Sequence, residues 1–75
     1  MQTGQFELTK VLPQQKDVLE YILYFKDILS GARKSNIATI QKLSLEDELG
    51  EEYMWIGSKY INSNFDTVSI MFRKV

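Results

Sequence analysis

The sequence predicts an α+β fold in which one amphipathic helix packs on an antiparallel sheet of three or four strands, in the order β-α-β-β-β. Three observations carry that expectation. The segment "KDVLEYILYFKDIL", Lys16 to Leu29, is apolar at helical spacing, with Val18, Ile22, Phe25 and Leu29 in one stripe and Tyr21 and Ile28 beside it. After Gly31 the apolar spacing shortens to the alternation of strands. The chain has 75 residues, 44% hydrophobic and 25% charged, which describes a single ordinary globular domain over residues 1–75, with little apolar surface to spare.

The elements follow in order. "QFELTKVL" sets Phe6 and Leu8 against Glu7 and Thr9, the pattern of a half-buried strand. Pro13 ends it and suits a helix entrance, so the helix is expected from about Gln14 to Ser30, with Gly31 as its left-handed terminal residue. "NIATIQKLSL" reads as a strand on its β-branched content, and its competitor is a short helix entered through Ser35. "SLEDELG" is a turn or one helical turn, because Ser44 and Asp47 resemble a capping box and Gly50 can end it. "EYMWIGSKYI" and "DTVSIMFRKV" flank the turn-rich "NSNF" and predict a hairpin, with Val68, Ile70 and Phe72 on one face.

Composition excludes several chemistries. With no cysteine and no histidine, the chain lacks the thiol nucleophile, the commonest general base and the commonest zinc ligands. No serine is paired with a lysine in a recognisable way, and no cofactor, metal or catalytic residue is expected, so the protein is read as a non-enzyme. The longest apolar run, "YILYF", is too short to span a bilayer. "MQTGQFELTK" has no basic and apolar leader pattern, and with the missing cysteines this points to the cytoplasm.

The net charge of −1 is unevenly placed. Residues 1–43 hold six bases and four acids, and residues 53–75 hold three bases and one acid. Between them lie five acids and no base: Glu46, Asp47, Glu48, Glu51 and Glu52. The spacing does not fit a calcium loop, since Leu49 interrupts the oxygen ligands. Either the run is a solvated turn or it docks on a basic partner. On the helical wheel Leu19, Leu23 and Tyr24 fall outside the stripe that one sheet face can cover. Together the two excesses predict a protein-interaction module, a small regulator or inhibitor of host or phage type. Its contact would use the acidic segment with Leu19, Leu23 and Tyr24, and its partner would be another protein or a second copy in a homodimer.

The alternative is a nucleic-acid-binding regulator. The strand "QFELTKV" followed by helices at "QQKDVLEYILYFKDILS" and "SNIATIQKL" resembles the ribbon-helix-helix order, which implies a two-stranded ribbon in the major groove. Against it, Glu7 stands where phosphate-facing positives are wanted, and the charge balance makes nucleic acid an unfavoured partner. Arg33 and Lys34 are read as a solvated loop after the helix. Alternation puts Tyr53 and Trp55 on one face of their strand and Tyr60 on the other, which argues against a joint aromatic platform.

Overall fold

The computed structural model describes residues 5–11 and 17–75. Its elements are β1 (Phe6–Val11), β2 (Val18–Phe25), α1 (Gly31–Leu49), a single 3-10 turn (Gly50–Glu52), β3 (Tyr53–Tyr60) and β4 (Thr67–Lys74). The strands form one antiparallel sheet in the order β1-β2-β4-β3. The α+β class, one helix on a four-stranded antiparallel sheet, is as the sequence predicts. The order of elements is not: it is strand, strand, helix, strand, strand.

The exchange has a physical cause. β2 lies between β1 and β4 and carries apolar groups on both faces. Leu19, Tyr21, Leu23 and Phe25 are buried beneath the helix, while Val18 and Ile22 are half-buried on the opposite face. A strand that is apolar on both faces and a helix apolar around most of its circumference share one composition, so a helical wheel cannot separate them. Of the helix expected over 14–30, residues 18–25 are strand, and 14–16 lie outside the described residues.

The strand expected over residues 37–45 lies within α1 instead. Its boundaries are chemically marked: Ser30 Oγ accepts a hydrogen bond from the Arg33 N–H at 3.2 Å, and the Gly50 N–H donates to the Glu46 carbonyl. Gly50 adopts φ 69°, a backbone conformation that a side chain with a Cβ resists. Ile37, Ala38, Leu45 and Leu49 face the sheet, a helical stripe that tertiary packing favours over the strand propensity of Ile37, Thr39 and Ile40. With β2 a strand, the strand-helix-helix order of a ribbon-helix-helix protein does not occur.

The core joins Leu45 of α1 to the inward rows of β2 and β4, with Val68, Ile70 and Phe72 aligned opposite Leu23, Tyr21 and Leu19. The Tyr21 and Phe72 rings meet edge to face at 6.1 Å. On the other face Ser69 is fully buried, and its hydroxyl donates to Glu20 Oε2 at 2.5 Å. Among the described residues no helix is long and apolar enough to cross a membrane.

Candidate interaction surface

The sheet changes the standing of the apolar residues expected at a partner contact. Leu23 is fully buried and Leu19 nearly so, both in the core row of β2. Neither can meet a partner while the chain is folded, because the wheel that put them on a flank assumed a helix. Tyr24 is 44% exposed, on the sheet face away from α1. The acidic residues form the end of α1 and the 3-10 turn. Asp47, Glu48, Glu51 and Glu52 are exposed, and Glu46 pairs with Lys42 at 3.5 Å. Tyr24 and the acidic turn do not form one site.

These charges oppose the helix dipole. The first turn of α1 carries Arg33 and Lys34 and no acid, and its last turn carries Asp47 and Glu48 and no base. Negative charge is favoured at a helix N-terminus and positive charge at its C-terminus. The arrangement is therefore mildly destabilising at both ends.

β3 begins directly after the acidic turn and forms an edge of the sheet. Protein edges are usually protected by charge, proline or brevity. β3 spans eight residues with Lys59 as its single charge, and it exposes Met54, Trp55, Ile56 and Tyr60, with Ile61 just beyond. Its pairing with β4 shifts register between Trp55 and Gly57. One extra residue reverses the alternation. Tyr53, Trp55 and Tyr60 consequently stand opposite Lys74, Phe72 and Val68 and share the helix-side face, contrary to the expectation from uninterrupted alternation. Gly57 is the sequence signal for this, since a glycine inside a strand pattern often marks a bulge.

A groove of about 250 Å³ runs between α1 and β3, lined by Ala38, Thr39, Lys42, Trp55, Ser58 and Tyr60 among others. Its furniture is fixed: Trp55 Nε1–H donates to Ser58 Oγ at 2.9 Å, and Lys42 Nζ sits 4.5 Å from the Trp55 ring centroid. At the far end of β3, Tyr60 meets Phe65 edge to face at 5.3 Å. No family model, curated protein or solved structure matches this chain.

Among the described residues, two titratable groups are displaced from their usual ranges. Burial raises the pKa of Tyr21, and the nearby Glu48 carboxylate and Tyr53 raise it further. Asp66, in the loop between β3 and β4, is held below the usual carboxylate range, first by the Asn62 side-chain amide and also by the Thr67 hydroxyl, which donates at 3.0 Å. Both shifts have structural causes. Among the described residues, no three of the acidic side chains converge as a metal site.

Proposed function

We propose that the protein is a non-enzymatic protein-binding module whose contact surface is the acidic turn, Glu46 to Glu52, together with the exposed apolar row of β3. One observation carries this reading: the longest unprotected edge of the sheet follows without interruption from the densest charge in the chain. Apolar anchors ringed by charge are the usual anatomy of a recognition surface, the anchors setting the off-rate and the charges the on-rate. The helix charges that oppose the dipole support it as well, because their placement costs folding stability.

The test is capture of a binding protein from the source cell on the immobilised chain, followed by association kinetics. Reversing Glu48 and Glu51 to Lys is expected to slow association several-fold and flatten its salt dependence. Met54→Ala or Ile56→Ala is expected to speed dissociation. Binding indifferent to both sets of substitutions in a folded protein rejects this surface.

A further inference from the structure

We infer that β3 pairs with β3 of a second copy of this chain, joining two sheets into one of eight strands about a two-fold axis. The inference rests on reading β3 as an interaction edge and names the occupant. Its basis is the direction of the backbone groups. The Ile61 N–H donates to the Thr67 carbonyl at 3.0 Å, and the Val75 N–H donates to the Glu52 carbonyl at 2.8 Å. In an antiparallel ladder, residues alternate between bonding the neighbouring strand and turning away from it. Counting inward from these two ends, Tyr53 and Trp55 turn outward before the bulge, and Ser58 and Tyr60 turn outward after it.

The bulge makes that edge selective. A regular strand turns every second residue toward its neighbour, so one aligned with Tyr53 and Trp55 falls out of phase with Ser58 and Tyr60. The partner must carry its own extra residue at the matching place. β3 does. Run antiparallel to itself, it sets Tyr53 opposite Tyr60 of the second copy and Trp55 opposite Ser58, and all four outward residues of each chain find a bonded partner.

The side chains agree with this register. Ile56 falls opposite Gly57 of the second copy, where a Cβ would have nothing within 4 Å. On the helix-side face, Tyr53 meets Tyr60 of the second copy, and Trp55 lies diagonal to it. On the other face, Glu52 is the diagonal neighbour of Lys59 of the second copy, within reach of long side chains. Glu52, just before β3, thus meets Lys59 near the end of β3 twice across the axis.

Sedimentation equilibrium on the full chain, with amide hydrogen exchange read by NMR, tests the inference. The expected result is a concentration-dependent dimer in which the amides of Tyr53, Trp55, Ser58 and Tyr60 exchange roughly tenfold or more slowly than the outward amides of β1, those of Phe6, Leu8 and Lys10. Lys59→Glu alone, or Glu52→Lys alone, should weaken the dimer about tenfold, each acting at two symmetric places, and the double variant should recover it. A chain that stays monomeric near about 1 mM overturns the inference. So does a dimer that leaves those four amides unprotected. In the partner-capture experiment Met54 and Ile56 lie on the paired strand, but Glu48 and Glu51 lie outside it, so the charge-reversal arm judges the wider reading separately from the dimer.

Discussion

Leu23 and Ile22 are neighbours in sequence and opposites in the sheet. Leu23 is fully buried under α1, and Ile22 is half-buried on the face without a helix. Leu23→Ala is therefore expected to cost about 2–5 kcal/mol, enough to unfold a domain of this size, while Ile22→Ala costs less and the exposed Tyr24→Ala close to nothing. Urea denaturation of the three variants reads the order directly, and a helix at this place would make Ile22 the costlier loss. Glu20 belongs to the same strand. On the wheel it lies on the polar back and its removal looks silent, but it accepts the hydrogen bond of the buried Ser69 hydroxyl. Glu20→Ala leaves that donor without its partner, at about 1–3 kcal/mol. Glu20→Gln, which keeps an acceptor, should recover most of the loss in the same denaturation series.

The helix has well-capped ends but unfavourable charges and exposed apolar residues. Ser30 and Gly50 bound it with ordinary capping chemistry, but its charges are reversed and Ile40 and Leu43 stay exposed. Glu48→Lys should therefore stabilise the fold by about 0.3–1 kcal/mol through the helix dipole, while association with a captured partner slows. A thermal melt and a binding trace on one variant separate the two effects. Because Glu48 also helps raise the Tyr21 pKa, this variant should bring the tyrosine titration down toward its ordinary value, followed by ultraviolet absorbance. At the scale of the strand, the bulge at Trp55–Gly57 decides which aromatic groups act together, and Gly57 is its trace in the sequence.

At alkaline pH the stability of the whole molecule is expected to depend on the buried tyrosine. Tyr21 keeps its proton more tightly folded than unfolded, so its contribution to stability is complete below pH ~10 and declines as pH rises from the unfolded value through the folded one. Denaturant midpoints across alkaline pH should fall in that window, and Tyr21→Phe should reduce the fall. A second property follows from the net charge of −1 and the exposed acidic turn. Few cations are gathered to displace counterions, so random duplex DNA should not be retained with micromolar affinity at about 150 mM salt. Fluorescence anisotropy at two salt concentrations checks this.

The sequence by itself determined the α+β class, the strands at 6–11, 53–60 and 67–74, the hairpin turn after Tyr60, and the density of charge before Tyr53. Those are local properties: alternation, turn residues and counts of charge. It did not determine which segment is the helix. The composition of β2 satisfies both periods, and the choice falls to β1 and β4, which pair on its two sides and turn an all-round apolar segment into a central strand. The same non-local pairing moved Leu19 and Leu23 from a presumed surface into the core. It also lengthened β3 by one bulged residue and so brought Tyr53, Trp55 and Tyr60 to one face. Hydrogen bonds between strands join residues far apart in the chain, and no window along the sequence contains both partners.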